Sequence, residues 1–168
     1  MSSLAVEAGI DHKTVRSWIS ILEASFIVYL LHPYHRNYNK RVVKQPKLYF
    51  YDTGLLSSLL ELDNEEQLSI HYLRGGIFEN FIISEYRKMK MHQARRPDMY
   101  FWRDNTGTEV DLILEHGTGF SAVEIKSGTT LKDEYTRSLL KFATYSDCPP
   151  EKRYVIYGGD VSYEGTHT

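Results

Sequence analysis

Glu109-Val110-Asp111-Leu112-Ile113-Leu114-Glu115-His116-Gly117-Thr118-Gly119-Phe120-Ser121-Ala122-Val123-Glu124-Ile125-Lys126 contains two apolar-rich runs joined by a glycine-bounded turn. This is the pattern of an antiparallel hairpin. A two-residue loop at Gly117-Thr118 and a four-residue loop at residues 116–119 give the same register, with Asp111 opposite Glu124. Opposed Cβ atoms lie about 4.5 to 5.5 Å apart, where like charges destabilise a sheet. A divalent cation reverses that cost, and carboxylate oxygens suit Mg2+ or Mn2+. Strand alternation assigns Asp111, Glu124 and Lys126 to one face and Val110, Leu112, Val123 and Ile125 to the other. A lysine two residues beyond a metal carboxylate reaches the same site, where it can orient a water or hold negative charge developing on a phosphate. Asp111, Glu124 and Lys126 are therefore candidate catalytic residues. The competing reading is a solvated face on which Glu109 opposes Lys126 as a surface pair worth about 0 to 1 kcal/mol.

The segments around this hairpin complete an α/β domain. Phe78, Phe81, Ile82, Tyr86 and Met89 share one stripe at helical spacing, which predicts a helix over about residues 76–91. Glu79 lies at the edge of that stripe, making it a third candidate acid and metal ligand. Strands are expected near 99–103, 109–115 and 120–126, a helix near 133–145 with Leu139, Leu140, Phe142 and Ala143 on its apolar side, and a last strand at 153–157. The order helix, three strands, helix, strand implies a mixed sheet covered by helices.

The first block differs. Ser2 or Ser3 caps a helix to about Ala8, Gly9 breaks it, and Asp11 caps a second helix through Val15, Trp18, Ile19 and Leu22. Ala5, Gly9, Val15 and Trp18 match a helix-turn-helix pattern in which Val15 and Trp18 face the first helix. A strand from Phe26 to Leu31, a basic turn-rich tip and a strand at 47–51 add a hairpin, and together these elements make a winged helix. Residues 1–50 hold seven Lys or Arg against three Asp or Glu. Lys13, Arg16, Arg36, Lys40 and Arg41 are the candidate nucleic-acid contacts, with DNA the candidate partner. The polar stretch 62–67 is the expected boundary, dividing a winged-helix module at 1–62 from a second domain at 63–168.

These pieces together resemble a known family. The basic helix-turn-helix block, Lys47-Leu48-Tyr49-Phe50-Tyr51-Asp52-Thr53-Gly54-Leu55, Phe78-Glu79-Asn80, Glu109-Val110-Asp111 and Glu124-Ile125-Lys126 are similar to the DUF4143 region. In that family the region lies at the C-terminus of bacterial and archaeal AAA+ ATPases and is similar to the PD-(D/E)XK nuclease-like, or restriction-endonuclease-like, fold. The resemblance implies an α-β-β-β-α-β domain in which Asp111, Glu124 and Lys126 hold the acid, acid and lysine positions of the nuclease signature. Glu79 takes the position of the helix acid that accompanies it. It also implies Mg2+ or Mn2+ as cofactor and an AAA+ ATPase module, upstream or separate, as partner. No G-x-x-x-x-G-K-[ST] loop occurs, so no ATP site is expected in this chain, which reads as a C-terminal portion or a shortened member. The resulting expectation is a metal-dependent nucleic-acid phosphodiesterase, or a degenerate nuclease-like DNA-binding module. The alternative is a non-catalytic interaction or oligomerisation module that works with an ATPase, and the oligomeric state is left open.

Composition bounds the remaining choices. The 168 residues are 42% hydrophobic and 25% charged with net charge -2, and mean hydropathy is -0.41. These values exclude intrinsic disorder and a uniformly polybasic nucleic-acid binder. No apolar run is long enough to span a bilayer, and no membrane partner is expected. Met1-Ser2-Ser3-Leu4 has neither a basic region nor an apolar core, so no signal peptide is expected. One cysteine, Cys148, fits a reducing cytoplasm and, lacking a basic neighbour in sequence, is no candidate nucleophile. His32 and His35 have no second pair of ligands and read as turn residues.

Overall fold

The computed structural model describes residues 2–34, 45–117 and 119–164, with side chains from residue 5. It is a mixed α/β protein. Helix α1 spans Ser2–Ala8 and α2 spans His12–Ala24. Strands β1 (Val28–Pro33) and β2 (Lys47–Phe50) follow, then helices α3 (Thr53–Leu59), α4 (Glu65–Ile70) and α5 (Arg74–His92). Strands β3 (Met99–Arg103), β4 (Glu109–His116) and β5 (Gly119–Lys126), helix α6 (Arg137–Ser146) and strand β6 (Arg153–Tyr157) complete the order.

The strands form one six-stranded sheet in the order β2-β1-β3-β4-β5-β6. Pairs β1/β2, β3/β4 and β4/β5 are antiparallel, whereas β1/β3 and β5/β6 are parallel. Helix α5 lies on one face. Its Ile83 is fully buried with Leu112, Val123 and Ile125, together with Phe101 from β3 and Tyr29, Leu31 and Tyr49 from the N-terminal strands. Helix α6 covers the other face, packing Leu139 and Phe142 on Trp102, Val110, Ile113, Phe120 and Ala122. Burying such aromatic and branched side chains contributes about 1.5 to 3 kcal/mol each relative to exposure.

The N-terminal hairpin is not a free-standing wing. His32 and Pro33 of β1 pair with Tyr100 and Phe101 of β3, so both hairpin strands extend the sheet built by the second block. Asn80 of α5 adds a tether, accepting from the Phe50 N–H at 2.8 Å and donating to the Phe50 carbonyl at 3.0 Å. The boundary expected after Leu62 falls between α3 and α4, and one sheet carries strands from both sides of it.

Several local expectations shift for identifiable reasons. Gly9 turns the chain between α1 and α2 with φ 64, and the Asp11 side chain accepts from the N–H groups of Lys13 and Thr14, capping α2 as its sequence suggests. The small helical core is Ala5, Val15 and Ile19, while Trp18 is 56% exposed and stands outside that core. Strand β1 begins at Val28 because Phe26 adopts φ 55, a left-handed conformation incompatible with extended pairing. On α5, Phe78, Ile82 and Tyr86 pack on the core, but Phe81 and Met89 face outward; the buried line is Ile77, Asn80, Ile83 and Ser84. On α6, Leu139 and Phe142 are buried and Leu140 is exposed. The basic tip with Arg36, Lys40 and Arg41, and His35, lie outside the described residues. No helix among the described residues is long and apolar enough to cross a membrane.

Candidate functional site

The register of the central hairpin follows from its turn. His116 pairs with Gly119, so two residues close the loop, and Gly117 supplies φ 58 there. Leu112 then opposes Val123 and Ile113 opposes Ala122, the alignment that carries Asp111 to the level of Glu124.

A second irregularity sets the site. Tyr100 pairs with Ile113 but Trp102 with Val110, so two residues of β4, Asp111 and Leu112, stand opposite Phe101 alone. This is a β-bulge, and it breaks strict alternation. Val110 consequently packs with the α6-side cluster while Leu112 packs with the α5-side cluster. The expected grouping of Val110 with Leu112, Val123 and Ile125 on one face is corrected accordingly. The bulge also changes what surrounds Asp111. Its carboxylate lies with those of Glu79 from α5 and Glu109 from β4, with one oxygen of each within 4.8 Å of the others.

Asp111 is buried, with 6% of its surface exposed. Its Oδ2 accepts the Ile125 N–H at 2.8 Å and lies 3.6 Å from Lys126 Nζ. Burial, reinforced by the charges of Glu79 and Glu124, pushes its carboxyl up to about 7 despite Lys126 and the Ile125 N–H. The Glu79 Oε1 accepts from the Tyr49 hydroxyl at 2.5 Å and from Lys47 Nζ at 2.8 Å. Glu109 pairs with Lys47 through one oxygen and with Arg103 through the other. Burial pulls the Lys47 ammonium down, but Glu79 and Glu109 together outweigh it and hold it above its ordinary value. Burial and then Glu79 push the Tyr49 hydroxyl up.

Glu124 is also buried, but it is not in the three-acid group. One of its oxygens pairs with Lys126, and the other accepts the Ser138 hydroxyl of α6 at 2.6 Å. Lys126 thus joins Glu124 to Asp111. Burial opposes its charge, yet Asp111 and Glu124 hold it above the ordinary lysine value. Of the other sequence candidates, Lys13 and Arg16 are exposed on α2. Cys148 is buried, and burial pushes its thiol up, the wrong direction for a nucleophile.

Sequence reasoning missed Glu109, Lys47, Tyr49 and Ser138. Regular alternation places Glu109 on the face of Asp111 but also sets it opposite Lys126, the surface pair of the competing reading; in the structure it pairs with Lys47 and Arg103 instead. Lys47 and Tyr49 carried the one usable signal, two polar-tipped residues at alternate positions of a short strand, but nothing in the chain pointed that strand at Glu79.

A bulged mixed sheet with one buried and two half-buried acids gathered between β4 and α5 defines a class of α/β protein with a carboxylate and lysine centre. The chain belongs to the family described as domain of unknown function DUF4143, whose model matches residues 74–168. A second domain of unknown function, DUF8612, matches residues 1–66. Two uncharacterized proteins, from Mycobacterium bovis and Mycobacterium tuberculosis, are each 30% identical over 129 residues. The match covers 77% of this chain and only 28% of each of those relatives. No solved structure matches the chain.

Proposed function

We propose that this chain cleaves nucleic-acid phosphodiester bonds with the help of a divalent cation, in a restriction-endonuclease-like domain. The observation that carries the reading is Asp111, a buried carboxylate raised to about 7 with Glu79 and Glu109 gathered beside it and Lys126 3.6 Å away. The donor set fits the cation: it is all oxygen, as Mg2+ and Mn2+ prefer, and the burial and mutual repulsion that raise Asp111 are what a positive ion relieves. Asp111 with Glu79 and Glu109 would hold the ion, and Glu124 keeps Lys126 beside Asp111. When bound, such an ion polarises a phosphodiester oxygen and lowers the pKa of an attacking water.

The chain's own residues supply the rest. The Ile125 N–H fixes the direction of Asp111. Ser138 anchors one oxygen of Glu124, and the other aligns Lys126. Lys126 presents an ammonium beside the acids, in reach of an attacking water or of charge growing on the phosphate. The order α5, β3, β4, β5, α6, β6 supports the α-β-β-β-α-β reading. The exposed Lys13 and Arg16 support DNA contact by a winged helix-turn-helix built from α1, α2 and the hairpin. The chain spans 28% of the length of its curated relatives, which supports work beside a further module, for which the resemblance suggests an AAA+ ATPase.

Incubation with supercoiled and linear DNA in Mn2+ tests the proposal. Cleavage by the wild type that falls by about two orders of magnitude or more in Glu124→Gln is the expected result. Lys47, already set between Glu79 and Glu109, favours a second reading: a non-catalytic module that binds DNA or a protein alongside an ATPase. Salt-sensitive DNA binding with no wild-type cleavage supports that reading and defeats the first.

A further inference from the structure

Lys47 is a cation seated between two of the three acids. Its Nζ lies 2.8 Å from Glu79 Oε1 and pairs with Glu109 Oε1. Both residues belong to the group whose oxygens lie within 4.8 Å of one another. The side chain is only 19% exposed. Its ammonium sits 5.6 Å from the centroid of the Phe101 ring and 6.0 Å from that of Tyr49. Aromatic faces on this side and carboxylates on the other make a lined seat for a positive charge. Asp111 does not share in this pairing, and its nearest positive charge is Lys126.

An ammonium and a divalent ion cannot both sit on the same oxygens of Glu79 and Glu109, because like charges a few ångströms apart repel strongly away from bulk water. We infer that Lys47 is a tethered counter-cation, which holds Glu79 and Glu109 together while no divalent ion is bound and must swing off their shared oxygens for one to enter. Four methylenes and a residual path to solvent permit that swing without moving β2. The inference rests on the cation site proposed above and adds a barrier to it: the site's affinity is set by competition with a residue of its own chain.

Isothermal titration of the full chain with MnCl2 tests this, comparing the wild type with Lys47→Met, which keeps the apolar stem, and Lys47→Gln, which keeps a polar tip. Circular dichroism confirms folding in each. Both variants are expected to bind Mn2+ at least about tenfold more tightly than the wild type. A wild-type measurement stands beside it: trace acetylation read by mass spectrometry, with the exposed Lys13 as internal reference. Saturating Mn2+ is expected to raise labelling of Lys47 several-fold relative to Lys13. Unchanged or weaker Mn2+ binding in a folded variant overturns the inference and leaves the cation site standing, as does Lys47 labelling indifferent to bound Mn2+. Absence of Mn2+ binding in all three chains overturns both. Should neither variant fold, the wild-type labelling decides.

Discussion

Asp111→Asn is expected to stabilise the cation-free protein at pH 8 and to abolish its thermal response to Mn2+. The folded carboxyl titrates near 7 against an ordinary value of 3.8. A raised acid contributes its stability below the lower value and loses it as pH rises through the upper one, so the ionised residue opposes folding at pH 8. Three pH units correspond to at most about 4 kcal/mol. Loss of the Lys126 contact and relaxation of Glu79 and Glu124 reduce this, leaving a gain on the order of 1 to 2 kcal/mol at pH 8 and little at pH 5. Asparagine retains an oxygen for the Ile125 N–H and adds a donor toward the neighbouring acids, so no buried group is orphaned.

Other perturbed groups leave this window clear. Asp104, which burial pushes up but Lys141, Thr106 and the Thr108 N–H together pull down to about 2, loses its contribution only in strong acid. Lys47 and Lys126, held above their ordinary value, lose theirs only in strong base. The wild-type melting temperature without cation is therefore expected to fall between pH 5 and pH 8 along a slope that Asp111→Asn flattens. Adding Mn2+ at pH 8 should raise the wild-type value and leave the variant where it was. A variant less stable than the wild type at pH 8, or one that still gains from Mn2+, would contradict the role given to Asp111.

Phe101→Ala is expected to cost about 3 to 5 kcal/mol, a large share of the 5 to 15 kcal/mol typical of a domain. Phe101 is fully buried and stands where three parts of the molecule meet. Pro33 of β1 pairs with it on one side, the Asp111–Leu112 bulge faces it on the other, and Ile83 of α5 covers it. Truncation leaves a cavity that a sheet fixed on both edges collapses poorly. Because β1 and β2 belong to the same core, urea should unfold the wild type in one transition, and the variant's midpoint should drop with little change in slope. A loss under about 1 kcal/mol, or separate transitions for residues 1–62 and 63–168, would show the hairpin to be a detachable appendage.

What the sequence made legible depended on the range of the interactions. The Gly117 turn is local, so the register that brings Asp111 level with Glu124 was readable from residue order, as was the capping of α2 by Asp11. The bulge opposite Phe101 has no residue signature, and with it Asp111 and Glu109, which alternation alone places on one face, lie against Glu79 of α5. The same holds for Lys47 and Tyr49. Their meeting with Glu79 requires β1 to pair in parallel with β3, a contact between distant segments that no spacing announces. The family match to residues 74–168 covers the acids and Lys126 but begins after Lys47, so the strand that closes the acid group belongs to the other half of the chain.

Crystals grown with Mn2+ and measured at the manganese absorption edge give the most direct test. The account predicts an anomalous peak about 2.0 to 2.6 Å from an Asp111 oxygen, with a Glu79 or Glu109 oxygen in the same shell and Lys47 turned away. Saturating Mn2+ with no peak there, and Lys47 still bridging Glu79 and Glu109, would mean that these acids form an internal ion-pair network and hold no cation.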